Sequence, residues 1–170
     1  MRVLGLDPGS RHTGYAVLDA LGDRLVPLAL GRLSPPASKQ LPSRLALLAA
    51  GLRELLDEHQ PTLAVLETPF HGINARSLIV LAQARGALLA ELASRDLEIL
   101  EYSPATVKQA VTGSGRATKE QVARMVSLLL RRDLSDLSSD ASDAVAVAIC
   151  GARRVHWERL RQGGAGRGDG

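Results

Sequence analysis

The chain has 170 residues, of which 45% are hydrophobic, so it is long enough for one domain whose core needs neither disulfides nor a structural metal. Its 21 basic and 18 acidic residues give a net charge of +3, which permits an anionic partner. The longest uncharged apolar runs, residues 45–52 and 144–152, are far shorter than the ~20 residues that span a bilayer, so no membrane segment is expected. An N-terminus without the apolar stretch of a signal peptide, together with a single Cys150, predicts a cytoplasmic protein.

Three short strands are predicted at the N-terminus, over residues 2–6, 13–18 and 24–33, because apolar stretches alternate there with Asp-Pro-Gly and Leu-Gly-Asp turns. These strands are expected to form an antiparallel meander. A helix with buried leucines is predicted over residues 42–59. The wholly apolar strand that follows, residues 63–67, is typical of the centre of a sheet.

The second half of the chain is predicted to hold four helices and one more strand. An amphipathic helix over residues 74–95 leads to a strand over residues 97–102, and this order predicts parallel pairing through a right-handed crossover. The remaining three helices are predicted from their capping residues over 103–112, 118–132 and 140–162.

Residues 1–162 are expected to form a single domain. Residues 163–170 contain five glycines and are predicted to be a disordered tail. Only 2% of the chain is aromatic, and Trp157 on the last helix is expected to cover the core. Cys150, in an apolar stretch, is expected to be a small buried residue rather than a nucleophile.

Four acids stand at the edges of these elements: Asp7 and Glu67 end predicted strands, and Asp140 and Asp143 share one face of the last helix. Each alone has an ordinary explanation as a turn, cap or helix-dipole residue. In a mixed sheet, however, the first and fourth strands can lie side by side, which would bring the carboxylates together. Such a cluster repels itself unless a dication neutralises it, and oxygen ligands favour Mg²⁺ or Mn²⁺.

Two such ions in one site would form the two-metal arrangement that cleaves phosphodiesters. The acid cluster therefore predicts phosphodiester cleavage as the chemistry of this chain. Because the chain is also basic, the expected substrate is nucleic acid.

Several short motifs follow one another in a fixed order from residue 2 to about residue 155. They include Gly-Leu-Asp-Pro-Gly-Ser at 5–10, Thr-Gly-Tyr-Ala at 13–16, Gln-Ala-Arg-Gly at 83–86, Val-Lys-Gln-Ala-Val-Thr-Gly at 107–113 and Asp-Ala-Ser-Asp-Ala at 140–144. In this order they resemble the RuvC family of Holliday-junction resolvases. The resemblance implies an α/β, RNase H-like fold with a five-stranded mixed sheet flanked by helices. It also implies paired symmetric nicks in four-way DNA junctions, made by a homodimer during homologous recombination and DNA repair.

The same resemblance implies roles for individual residues. It makes Asp7, Glu67, Asp140 and Asp143 the catalytic, metal-binding carboxylates, with two Mg²⁺ or Mn²⁺ ions per active site. Some family members carry a His at the position of Asp140. Functional coupling to the RuvA-RuvB branch-migration complex is implied as well. The candidate DNA contacts are Phe70, which would stack on a base at the junction centre, the phosphate-contacting Lys108 and Lys119, and Asn74, Arg76 and Arg116.

The homodimer has a candidate interface in the helix predicted over residues 74–95. This helix carries apolar residues on more than one face, with Gln83 and Gly86 interrupting the pattern, so part of its surface is expected to need a partner. A two-fold symmetric junction requires two equivalent sites related by the same axis.

Three alternatives remain open from the residues alone. An RNase H-like nuclease that cuts structured RNA would use the same acids. An ATPase of the actin and sugar-kinase type also has an Asp-x-Gly turn on its first strand, but it needs two facing domains, for which 170 residues are too few. A junction-binding module without cleavage activity is disfavoured because all four acids are present.

Overall fold

The computed structural model describes residues 1–9, 11–69 and 74–164. Within these ranges the elements follow in the predicted order, and helix and strand types are as predicted. They are β1 (Arg2–Pro8), β2 (Thr13–Leu21), β3 (Arg24–Leu33), α1 (Leu41–His59), β4 (Leu63–Glu67), α2 (Ala75–Ala93), β5 (Glu98–Tyr102), α3 (Pro104–Thr112), α4 (Lys119–Leu130) and α5 (Ser139–Gly164).

The five strands form one mixed sheet in the order β3-β2-β1-β4-β5. The first three strands are an antiparallel meander, as expected from their turns. β4 and β5 run parallel to β1, because helical crossovers connect the parallel strands. The predicted five-stranded mixed sheet flanked by helices is therefore confirmed.

Each face of the sheet is covered by helices, because neighbouring residues of a strand point to opposite sides. On β1, Val3 joins the core formed with α3, α4 and α5, whereas Leu4 joins the core formed with α1 and α2. Cys150 on α5 is buried, as predicted. Trp157 is not: its side chain is 66% exposed, and the prediction that it covers the core is wrong. The last α5 residue in the core is Val155, whereas Trp157 borders a cavity that Leu25 of β3 and Tyr102 of β5 also line, so its ring is not packed against the sheet.

Some element ends differ from the predictions by one to three residues, the largest difference being β2, which continues to Leu21 instead of ending at residue 18. α4 ends at Leu130, because Arg131 adopts a left-handed conformation with φ of 51° and stops the helix. α5 begins at Ser139 and runs to Gly164, and the hydroxyl of Ser138 accepts a hydrogen bond from the N–H of Ala141. Of the tail predicted over 163–170, residues 165–170 lie outside the described residues. No helix in the described ranges is long and apolar enough to cross a membrane.

Candidate active site

The first pair of acids meets because β1 and β4 are parallel neighbours. Their register aligns Leu6 with Leu66, so Asp7 and Glu67, the next residues, leave the sheet at the same edge. This juxtaposition was expected from the right-handed crossover, and the structure confirms it.

The second pair of acids is brought to the same edge by two glycines. A Cβ at Gly14 of β2 would overlap the backbone carbonyl of Asp140, and a Cβ at Gly5 of β1 would overlap that of Ala144. The first turns of α5 therefore rest directly on the backbones of β1 and β2. Asp140 and Asp143, both in these turns, consequently lie beside Asp7.

Electrostatic coupling shows how close the acids are. The pKa of Asp7 is raised to about 7, first by burial and then by the negative charges of Asp143, Glu67 and Asp140. The pKa of Glu67 is raised by burial and by the charge of Asp143. Asp140 influences only Asp7 among these groups, so it stands at the margin of the cluster.

Two lysines face the acids. Nζ of Lys119, at the start of α4, lies 3.2 Å from Oδ2 of Asp143, and the charge of this carboxylate raises the pKa of Lys119. Lys108 on α3 is near enough for its charge to oppose the rise in the pKa of Glu67. The two lysines therefore supply the positive charge that partly balances the cluster.

The chemistry of the donors fits a hard divalent cation. The four acids provide only carboxylate oxygens, which are the ligands that Mg²⁺ and Mn²⁺ prefer. In the described ranges, however, no three His, Cys, Asp or Glu side chains stand close enough to enclose an ion as they are placed. In this arrangement the carboxylates do not enclose an ion, and Lys119 is paired to Asp143.

Of the other candidate DNA contacts, three are among the described residues and one is not. Asn74 caps α2, and its side chain accepts a hydrogen bond from the N–H of Ser77 at 2.9 Å. Arg76 and Arg116 are exposed to solvent. Phe70 lies outside the described residues, so its stacking role stays a prediction.

A buried arginine at this edge was not predicted as functional from the sequence. Arg85 of α2 donates a hydrogen bond from Nη1 to the backbone carbonyl of Glu67 at 2.6 Å. The available signal was its place in the Gln-Ala-Arg-Gly motif of an otherwise apolar stretch of helix.

A large cavity lies away from the four acids. A cavity of about 770 Å³ lies along the C-terminal half of α5, where Tyr102, Cys150 and Trp157 contribute to its lining, and none of the four acids does. The four acids instead lie together where β1 and β4 end and α5 begins.

The raised pKa of Asp7 predicts how stability depends on pH without metal. Between about pH 4, the ordinary pKa of an unfolded aspartate, and about pH 7, the folded state holds a proton that the unfolded state has lost. The free energy of unfolding is therefore expected to fall as pH rises through this window, by at most about 1.4 kcal/mol per pH unit from this group. Urea denaturation at pH 5 and pH 8 in a chelator measures the effect, and Asp7→Asn should flatten it. An equal pH dependence in both proteins would contradict the coupling.

A mixed sheet in the order β3-β2-β1-β4-β5, with acids at the ends of β1 and β4 and at the start of α5, defines an RNase H-like nuclease. Comparison with known proteins narrows this class. The family model "Crossover junction endodeoxyribonuclease RuvC" matches residues 3–151. The chain belongs to the RuvC family, and it is a crossover junction endodeoxyribonuclease, an enzyme that hydrolyses phosphodiester bonds.

Individual relatives are similar in sequence to this chain over most of their length. The crossover junction endodeoxyribonuclease RuvC of Polynucleobacter asymbioticus is 47% identical over 153 residues, which are 89% of this chain and 88% of the relative. That of Dehalococcoides mccartyi is 43% identical over 150 residues, 88% of this chain and 91% of the relative. The structure of T. thermophilus RuvC in complex with Holliday junction substrate matches with a TM-score of 0.88 and 28% identity, covering 93% of this chain and 96% of that chain. The predicted family and fold are thus confirmed.

Proposed function

We propose that this chain resolves Holliday junctions through the cluster of Asp7, Glu67, Asp140 and Asp143. The observation that carries the proposal is the convergence of these acids at one sheet edge, where β1 and β4 end side by side and the first turns of α5 rest on β1 and β2. The pKa of Asp7 agrees with this placement, since it is raised to about 7, first by burial and then by the charges of the three other acids. Repulsion between these carboxylates destabilises the folded protein. A bound dication relieves the repulsion, and a nuclease uses that dication for catalysis. The solved relative in complex with Holliday junction substrate supports a four-way junction as the substrate.

Nucleases of this family are metal-dependent. We infer Mg²⁺ or Mn²⁺, with two ions per site, from the purely carboxylate donor set. When bound, these ions supply activation of the attacking water and charge stabilisation at the phosphate. The chain's own contribution is to hold Asp7 and Glu67 on adjacent strands and Asp143 on a helix packed against them.

The lysines fit the approach of the DNA backbone. Lys119 is 71% exposed although it pairs with Asp143, so its ammonium can turn to a phosphate at little cost. Lys108 stands close to Glu67 on the same side. We assign both to phosphate contacts. Base stacking by Phe70 and DNA contacts by Asn74, Arg76 and Arg116 complete the proposed interface.

A metal-dependent nicking assay tests the proposal. With a mobile four-way junction, Mg²⁺ should give paired symmetric nicks, a chelator should give none, and Ca²⁺ should support binding with little cleavage because its coordination is looser. A linear duplex of the same sequence is the control and should stay intact. Full cleavage in the chelator would contradict the metal-dependent site, and equal cleavage of the linear duplex would contradict junction selectivity.

We also propose that the protein acts as a homodimer through α2. Leu78 and Ile79 on this helix are 42% and 60% exposed, and a Cβ added at Gly86 would meet nothing within 4 Å. Ile79 and Gly86 lie on the side of α2 opposite Leu88, which is fully buried against the sheet, and Leu78 lies at the margin of that side. Coupling to the RuvA-RuvB complex and a location in the cytoplasm accompany this proposal as consequences of family membership.

Sedimentation at micromolar concentration tests the dimer with matched substitutions. Ile79→Glu should convert the dimer to a monomer, because it places a charge in the proposed interface. Leu128→Glu is the control, since Leu128 on α4 is equally exposed at 62% but lies outside α2. A monomeric wild-type protein, or the same sedimentation for all three proteins, would contradict this interface.

A further inference from the structure

Arg85 connects α2 to the end of the strand that carries Glu67. Its side chain is only 10% exposed. Nη1 donates to the backbone carbonyl of Glu67 at 2.6 Å, and Nη2 lies 2.8 Å from Oε2 of Glu101 on β5. One guanidinium therefore bridges a helix and the two parallel strands at the active-site edge.

The contacts of Arg85 act where β4 ends. Glu67 is the last residue of this strand, and the next residue, Thr68, is held by its N–H to the carbonyl of Tyr102 at 2.8 Å. The backbone around Glu67 is thus fixed from β5 on one side and from Arg85 on the other. Since a guanidinium has a rigid, planar set of donors, a shift of the end of β4 would break the hydrogen bond from Nη1 to the carbonyl of Glu67.

A buried guanidinium is also costly unless it is paired. Here the partners are a backbone carbonyl and a carboxylate that is itself 42% exposed. A hydrophobic residue of similar length would pack α2 against the sheet at lower cost. The position of the charge at the carbonyl of Glu67 therefore points to a role at the site rather than in general packing.

We propose that Arg85 is a positioning residue that fixes the orientation of the Glu67 carboxylate toward the acid cluster. This inference rests on the proposed function of Glu67 as a metal-binding carboxylate. Removing a residue that orients a metal ligand without binding the metal itself typically lowers metal affinity or activity by about 10- to 100-fold. Arg85 acts through the backbone of Glu67 and does not need to touch DNA.

The test compares Arg85→Gln with Arg53→Gln. Arg53 forms a bidentate pair with the buried Glu91 and joins α1 to α2, so its loss removes a charged contact of α2 that lies away from the acids. Mn²⁺ affinity of the DNA-free proteins is measured by electron paramagnetic resonance, together with melting temperature and junction cleavage in Mg²⁺. Arg85→Gln should bind Mn²⁺ about tenfold more weakly and lower kcat with an unchanged KM. Arg53→Gln should lower only the melting temperature.

Two further variants make each outcome decisive. Arg85→Lys keeps the charge and one donor nitrogen and should restore part of the Mn²⁺ affinity. If Arg85→Gln does not fold, Arg85→Lys is compared with Arg53→Gln in its place. Glu67→Gln is measured in the same series. Wild-type metal binding and cleavage in Glu67→Gln would overturn the proposed function. Loss of both in Glu67→Gln, with Mn²⁺ affinity in the Arg85 variants equal to that of Arg53→Gln, would overturn the role of Arg85 alone.

Discussion

Asp7→Asn is expected to abolish junction cleavage while junction binding stays unchanged or becomes tighter. The substitution removes the carboxylate at the centre of the cluster, toward which three other acids direct their charge. The loss of cleavage should exceed about 100-fold, because removing a residue that only orients a metal ligand already costs up to this much. Binding should not suffer, because one negative charge fewer faces the phosphates. Single-turnover cleavage in Mg²⁺ and gel-shift binding in Ca²⁺ measure the two effects separately.

Asp19→Asn is the matched control for this substitution. Asp19 lies on β2 and pairs with Arg2 at 3.0 Å, near the start of β1 and away from the acid cluster. The same chemical change there should leave cleavage as in the wild type. A folded Asp7→Asn protein that loses binding and cleavage in parallel would contradict a role for Asp7 in catalysis.

The sequence was sufficient to predict that Asp7 and Glu67 can be neighbours. Apolar strands and a crossover helix predict a mixed sheet in which the first and fourth strands can lie side by side, and the strand order of the structure confirms that they do. Element types were also predictable, because capping residues such as Ser103 and Thr118 mark helix starts. Local sequence patterns were thus sufficient to predict the helices and strands and their order.

Contacts between distant side chains were not predictable in this way. The pairing of Lys119 with Asp143 depends on how closely α4 approaches α5. The contact of Arg85 with the Glu67 carbonyl depends on how deeply α2 packs. The exposure of Trp157 depends on the cavity that it borders together with Leu25 and Tyr102. These distances are set by the packing of whole elements, which no single stretch of sequence encodes.

Gly14→Ala is expected to impair both stability and cleavage, because the new methyl group would overlap the backbone carbonyl of Asp140. A backbone atom cannot turn aside as a side chain can, so the first turn of α5 has to move. Overpacking of this kind costs about 1–3 kcal/mol, which lowers the melting temperature of a domain of this size by several degrees. Displacing Asp140 and Asp143 from Asp7 by about 1 Å should reduce cleavage by about 100-fold.

Gly51→Ala separates this steric effect from the general effect of adding a methyl group. A Cβ at Gly51 of α1 would stand 2.9 Å from Cδ2 of Leu33, the end of a flexible side chain that can rotate away. Alanine also favours the helix, so Gly51→Ala should melt near the wild-type temperature and cleave normally. The pKa of Asp7, followed by NMR, should fall in Gly14→Ala because the other acids recede, and it should stay raised in Gly51→Ala. Wild-type cleavage by Gly14→Ala with an unchanged pKa of Asp7 would mean that the close contact between α5 and β2 does not position the acids.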